Sequence, residues 1–498
     1  MFTLKKSPHK LLWIALLTLV VTSCGAAQDA SKSYSRAVIN RGAIVPAESV
    51  RVHEYLNYYD QRFPEPIDQP LGLDLRLGNT QIPASGGEVW LQIGLQARGS
   101  ENVIRTPLNM ALVLDCSGSM GDRGKMSYLK QSLMVFLPSL QPDDLVAIVG
   151  YSDVAWIVRK AQSVGDGAWI RQAVESLVSG GSTNLHDGMM LGFEEVDRNF
   201  DIRRNNRVIL LTDGIANVGI TNPDRIAGDA LAYNQQGIYL STIGLGLDMN
   251  DQLLSTLARQ GRGAYHFVDS AQEMDKVFHK EVEGLVERVA NEVRVSIKPA
   301  SGVELTTVTG FEGSPPRGGA QVVLQDMGAG DSQVLIARLQ VSPSDPGSRP
   351  LAEVTLSYID VFAQRSRETR SWVSAQAMDM GSYDPFADIE IRRNATIVLM
   401  AEALKEIDYL FNGGRYEEAW EIAHEMEYEL RTMAALAGDP QMVEDADLFH
   451  RYQMTLVSAL GYDPAEIHIQ PAALPSQDQP QRWGDPVETP LPIIDLDS

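Results

Sequence analysis

Cysteine is nearly missing from this chain: 498 residues carry two, Cys24 and Cys116. That count excludes a disulfide framework, so packed cores must hold the fold, and an apolar fraction of 44% is ample for them. Basic residues are scarce beside acidic ones, 42 Lys and Arg against 65 Asp and Glu, for a net charge of −23. Such a chain repels nucleic acid and anionic lipid surfaces, and the electrostatic footprint of a nucleic-acid binder is absent. After residue 24 no apolar run is long enough to span a bilayer. There is no His-Glu-x-x-His and no Gly-x-Ser-x-Gly, and His266, His279 and His424 are scattered and read as surface or capping residues. Enzymatic activity is therefore not expected.

The most informative stretch is Met110-Ala-Leu-Val-Leu114 followed by Asp115-Cys116-Ser117-Gly118-Ser119. Five consecutive apolar residues predict a strand buried on both faces of a parallel sheet. Ligands in such sheets bind at strand ends. This end offers one carboxylate and two hydroxyls on alternate residues, an all-oxygen set that suits a hard cation such as Mg²⁺. Near-octahedral ligation needs more groups than one loop supplies, so other loops must contribute. Two are suited to it: the small-residue loop Gly180-Gly181-Ser182-Thr183, and the strand Arg207–Thr212 that ends on Asp213-Gly214. Gly121 to Met126 is similar to the end of a P-loop, but Ser119 replaces the first required Gly and Met126 the closing Ser or Thr. Gly244-Leu-Gly246 lacks the third Gly of a dinucleotide site.

The pattern Asp-x-Ser-x-Ser, a loop Thr, then a strand-terminal Asp-Gly resembles the metal-ion-dependent adhesion site of the von Willebrand factor type A family. All five positions are filled, by Asp115, Ser117, Ser119, Thr183 and Asp213. The resemblance implies an α/β doubly wound domain and a metal, Mg²⁺ with Mn²⁺ or Ca²⁺ as alternatives. Asp115 would orient the metal, Ser117 and Ser119 ligate directly, and Thr183 and Asp213 ligate directly or through water. It implies a partner, a protein or glycan ligand, whose acidic group completes the shell. Cys116 is expected as a small buried side chain beneath the loop.

The N-terminus reads as an address. Lys5, Lys6 and Lys10 precede the apolar segment Leu11 to Val21, and Val21-Thr22-Ser23-Cys24-Gly25 resembles a bacterial lipobox. Residues 1–23 are thus expected as a lipoprotein signal peptide with Cys24 lipidated. Gly25 resembles the pattern of outer-membrane sorting, giving a lipid-anchored cell-envelope location. Residues 24–50, small and polar, read as a tether. Residues 51–70 read as a helical leader with a Pro segment, similar to one found in a bacterial subfamily of type A proteins, its aromatics packing on the following domain or forming a binding patch.

Strand periodicity over 71–105 and again over 290–376 brackets strands alternating with helices over 106–286. A β-sandwich with the type A domain inserted is preferred to two separate β-domains. Expected strands are Asn109–Leu114, Leu145–Tyr151, Val154–Lys160, Arg207–Thr212, Ile238–Gly244 and Ala264–Val268, with a hairpin at Ser152-Asp153 supplying one antiparallel edge. Asn222-Pro223 and Asn250-Asp251 are expected helix starts. Residues 384–462 read as helical; Gly414 to Ala419 is similar to one turn of a tetratricopeptide pair, without a second copy. Residues 470–498, rich in Pro, Gln and Asp, read as a disordered tail. Two function classes follow: a divalent-cation-dependent binding module of the envelope, or an envelope assembly factor with a mainly structural metal.

Overall fold

The computed structural model describes residues 21–23, 30–99, 105–269, 277 and 288–462. Residues 1–20, Cys24, residues 270–276 and 278–287, and the 470–498 tail lie outside the described residues. Val21–Ser23 forms a short strand beside Gln321–Val323.

The chain opens on helix α1 (Ala30–Asn40), then α2 (Val52–Tyr58) and strands β1 (Leu71–Leu77), β2 (Gln81–Pro83) and β3 (Gly87–Ala97). The α/β unit follows: β4 (Leu108–Asp115), α3 (Lys125–Phe136), β5 (Leu145–Tyr151), β6 (Ala155–Ser163), α4 (Ala168–Glu175), α5 (Leu185–Asp197), β7 (Asn205–Thr212), α6 (Pro223–Gln235), β8 (Tyr239–Leu245), α7 (Asp251–Gln260) and β9 (Arg262–Val268). Strands β10 (Arg288–Pro299), β11 (Val303–Val308), β12 (Ala320–Val323), β13 (Ser332–Val341), β14 (Gly347–Asp360) and β15 (Arg365–Met378) come next. Helices α8 (Ile389–Asn412), α9 (Tyr416–Ala437) and α10 (Pro440–Ala459) close the described chain.

The α/β sheet has the order β9-β8-β7-β4-β5-β6, parallel throughout except for the edge strand β6. Every residue of β4 and of β7 is buried, as expected for central strands covered on both faces. Strand β4 therefore ends at the centre of the sheet, and its loop is flanked by those of β5 and β7. Asn222 and Asn250 cap α6 and α7, accepting from the amides of Arg225 and Leu253. These are the helix starts read from the sequence.

The flanking strands form two sheets that enclose one core. Strand β3 pairs antiparallel with β13 over ten residues, from Gln96 with Ser332 to Gly87 with Val341, and β2 runs beside the end of β15. Strands from before and after the α/β unit thus share both sheets. In β13, Leu335, Ala337 and Leu339 face the sandwich core, whereas Val334 and Ile336 face the helices. A sheet covered on both faces explains why this strand lacks clean polar alternation.

The 24–50 tether reading is corrected over residues 30–50. Helix α1 is largely buried, with Ala37, Val38 and Ile39 inside. It is small-residue-rich because it is squeezed between the α/β unit and α10: Tyr34 meets Phe267 edge to face at 5.3 Å, and Lys32 pairs with Asp445 at 2.6 Å. Its serines are polar but spoken for; Ser31 donates to the Ser49 carbonyl at 2.5 Å, and Ser35 accepts from Tyr55. Short side chains in a polar run mimic a linker in composition while permitting close approach.

The leader's aromatics pack inward. Tyr55, Tyr59 and Phe63 are buried; the Tyr59 hydroxyl donates to Asp445, and Phe63 fills a notch over Gly94. A Cβ on Gly94 would lie 2.4 Å from the Phe63 ring, so only glycine fits there. His266, read as a surface or capping residue, is buried on β9. His424 stacks on Trp420 at 5.0 Å.

The Lys32–Asp445 pair is about 5% exposed at either side chain. Asp445→Ala leaves a buried ammonium without its counter-ion, and we expect a loss of about 3–5 kcal/mol, measured as a lowered urea midpoint.

Candidate metal-ligating site

Three loops at the carboxyl ends of β4, β7 and the α4–α5 connection converge. The Gly118 amide donates to the Gly181 carbonyl at 2.9 Å and the Gly180 amide to the Cys116 carbonyl at 2.8 Å, which ties the first loop to the second. The Asn217 amide donates to the Thr183 carbonyl at 3.1 Å, while the Asn217 side chain accepts from the Thr183 amide at 2.8 Å, tying the second to the third. Gly181 has φ +83° and lies against Asp153, whose carboxylate accepts from the Ser182 amide at 3.0 Å. A Cβ at Gly181 would lie 2.4 Å from that carboxylate, so the loop needs glycine for both conformation and space.

All five residues singled out from the sequence meet here. Ser117 Oγ lies 3.1 Å from Ser119 Oγ, and Ser119 Oγ donates to Asp213 Oδ1 at 2.8 Å. Thr183 Oγ1 and Ser119 Oγ flank Gly214, 3.7 and 3.9 Å from where its Cβ would stand. Asp115, Ser117, Thr183 and Asp213 are buried, and Ser119 is half-buried.

Asp115 is oriented by its surroundings. Its Oδ1 accepts from the Ser117 amide at 2.8 Å; its Oδ2 accepts from Thr212 Oγ1 at 2.8 Å and from the Tyr151 hydroxyl at 3.3 Å. Burial raises the Asp115 carboxyl above the usual range, against the pull of these donors, and Asp213 adds like-charge repulsion. Burial also pushes the Cys116 thiol up to about 12, so it is an inert filler beneath the loop, fully buried as expected.

Sequence reasoning missed Thr212, Tyr151, Asn217 and Lys125. Lys125 Nζ bonds Asp213 Oδ2 at 2.6 Å, neutralising the second carboxylate. Tyr151 was discoverable, because in-register pairing of β4 with β5 sets it directly opposite Asp115. Lys125 sat in the stretch tested against a P-loop, where its role is to an aspartate and not a phosphate.

The oxygens can be tested against a cation. Among the described residues no group of three His, Cys, Asp or Glu side chains could hold a metal, so any ion here must rely on hydroxyls. Oxygens on adjacent corners of an Mg²⁺ octahedron lie about 2.9 Å apart, given bonds of about 2.05 Å. The successive separations of 3.1 and 2.8 Å along Ser117, Ser119 and Asp213 match that edge. The donor set fits a hard divalent ion.

The family model described as von Willebrand factor type A domain matches residues 109–280. Over those residues the chain matches the von Willebrand factor type A domain family, and the described ones have its doubly wound fold. A second family model, described as von Willebrand factor, matches residues 20–84, spanning the leader. The chain is 28% identical over 270 residues to the uncharacterized protein YfbK of Escherichia coli, covering 53% of this chain and 47% of that one. It is 25% identical over 337 residues to an uncharacterized Synechocystis protein, covering 65% and 79%. It is 28% identical over 200 residues to human inter-alpha-trypsin inhibitor heavy chain H3, covering 39% and 22%. The chain thus spans about half the length of the Escherichia coli relative. A solved von Willebrand factor type A protein from Catenulispora acidiphila shares the fold, with a TM-score of 0.53 at 18% identity over 76% of this chain and 89% of that one. Type A domains generally mediate protein–protein interaction and adhesion.

Thr212→Val, nearly isosteric, withdraws one donor from a buried carboxylate. We expect a cost of about 1–3 kcal/mol in urea denaturation, and less if the same test is made in Asp115→Asn.

Proposed function

We propose that this protein is a divalent-cation-dependent protein-binding module, lipid-anchored through Cys24 in a bacterial envelope, and that it is not an enzyme. The observation that carries the reading is the chain of oxygens from Ser117 through Ser119 to Asp213 at octahedral-edge spacing, beside an Asp115 already oriented by Thr212 and Tyr151. Mg²⁺ is the favoured ion, with Mn²⁺ or Ca²⁺ able to use the same oxygens. Asp115, Ser117, Ser119, Thr183 and Asp213 would hold it, Asp115 by bringing one negative charge and orienting the metal. When bound, such an ion supplies an electrophilic point for an acidic group of the partner.

A rim of exposed apolar side chains supports a protein partner over a glycan. Ile215 follows Asp213-Gly214, Val178 precedes the Gly180–Thr183 loop, and Val154 follows Asp153; all three are more than half exposed. Apolar groups clustered round a polar centre fit the buried core and desolvated anchor of a protein interface. A charge-assisted contact contributes only a few kcal/mol, so this rim must contribute the remaining affinity. An outer-membrane location follows from Gly25 after the lipobox Cys, and the acidic surface argues against nucleic-acid partners.

Calorimetry tests the site directly. Wild-type protein should bind Mg²⁺ with one site, Asp115→Ala should lose it while retaining its fold by circular dichroism, and pull-down of envelope partners should fail in EDTA. Unchanged Mg²⁺ affinity in Asp115→Ala would refute the assignment. Lys125→Met separates a second effect: removing the ammonium from Asp213 frees that carboxylate for a cation, so Mg²⁺ should bind roughly tenfold tighter, by about one ion pair's worth of Coulomb energy.

A further inference from the structure

A cavity of about 460 Å³ lies where five parts of the chain meet: leader helix α2, helix α7 of the type A domain, the turn after β11, strand β13 and helix α8. Its arginines are matched to carboxylates. Arg51 bonds Glu54 at 2.7 Å and Asp251 at 2.7 Å, Arg259 bonds Glu312 at 2.5 Å, and Arg338 bonds Glu402 at 2.6 Å. Two further groups on the lining, Lys405 and the His53 ring, make no hydrogen bond or ion pair among the described residues. The buried Nε of Arg338 also lacks a partner. The charged side chains of the lining balance, Arg51, Arg259, Arg338 and Lys405 against Glu48, Glu54, Glu312 and Glu402, but these three donors have no hydrogen-bonded acceptor among the described residues. Burial first, then the charges of Arg51, Arg259 and Lys405, push the His53 imidazole down to about 3, so the ring is neutral and one nitrogen carries an N–H. Burial lowers the Lys405 ammonium as well. Glu402 and Glu312 oppose that shift without bonding the ammonium, and among the described residues no carboxylate acts on the His53 ring.

We propose that this cavity is a binding site for a small organic anion, whose oxyanion group is held by Lys405 and the N–H of His53 beside the Arg338 Nε. The remaining wall, with Val308, Ile336 and Val398, accommodates a short carbon skeleton. A cavity of this size admits a metabolite-scale ligand. Charge-assisted hydrogen bonds in a half-buried site give such an anion its affinity. Because the walls come from all five parts of the chain, the bound anion braces the leader and α8 against α7. The site is independent of the metal reading, and neither depends on the other.

Isothermal titration of the full chain, free of divalent ions and at ionic strength fixed with chloride, tests this with citrate and with inorganic phosphate as probes. Wild-type protein should bind at least one of them at a single site. Lys405→Met should weaken that binding about tenfold, the equivalent of one charge-assisted contact. His53→Gln provides a second variant should Lys405→Met fold poorly, and is also expected to weaken binding. Asp115→Ala should bind the anion as wild type does, which separates this site from the metal loop. Tighter citrate identifies a carboxylate ligand and tighter phosphate a phosphate ester. The proposal is overturned if neither probe saturates, or if wild type, Lys405→Met and His53→Gln bind alike.

Discussion

Strand β3 leaves the leader and pairs with β13, and between them in sequence lies the whole α/β unit. Ten register pairs hold that seam, and the rest of the architecture depends on it. One face of the paired strands lines the sandwich core, through Leu91, Ile93, Leu335 and Leu339. The other receives the leader and α8, through Trp90, Val334 and Ile336. Cross-strand pairing over so long a sequence separation carries a high ordering cost, and burial on both faces is what offsets it. The type A domain is carried on a scaffold that cannot form without residues from both sides of it.

Within that domain the candidate site depends on a smaller stitch. Backbone bonds among Cys116, Gly118, Gly180 and Gly181, and between Thr183 and Asn217, fix three loops before any ligand arrives. The side chains are then placed by second contacts: Thr212 and Tyr151 on Asp115, Lys125 on Asp213. Loops so tied present oxygens with little residual freedom, which is the preorganisation that the proposed cation would require.

Much of this was legible in the sequence. The α/β alternation, the strand ending at Asp115 and the caps at Asn222 and Asn250 follow from periodicity and local chemistry, because they are determined by short-range rules; the set Asp115, Ser117, Ser119, Thr183 and Asp213 came from resemblance to the type A family, and the fold brings these residues together. What escaped was determined by distant partners. Helix α1 resembles a linker because Ser31, Ser33 and Ser35 are polar, and its burial rests on Glu54, Tyr55 and Asp445, far away in sequence. Lys125 is unremarkable until the fold brings Asp213 to it. His266 looked peripheral because a single histidine carries no periodicity that reveals which face of β9 it occupies.

The leader has a mechanical consequence. Arg51 grips Asp251 at the start of α7, Lys32 grips Asp445 on α10, and Phe63 is keyed into the sandwich at Gly94. Tension entering the chain ahead of residue 30 would meet these holds in turn, first on α10, then on the type A domain, then on the sandwich, so three separate packing units must each yield before the leader comes free.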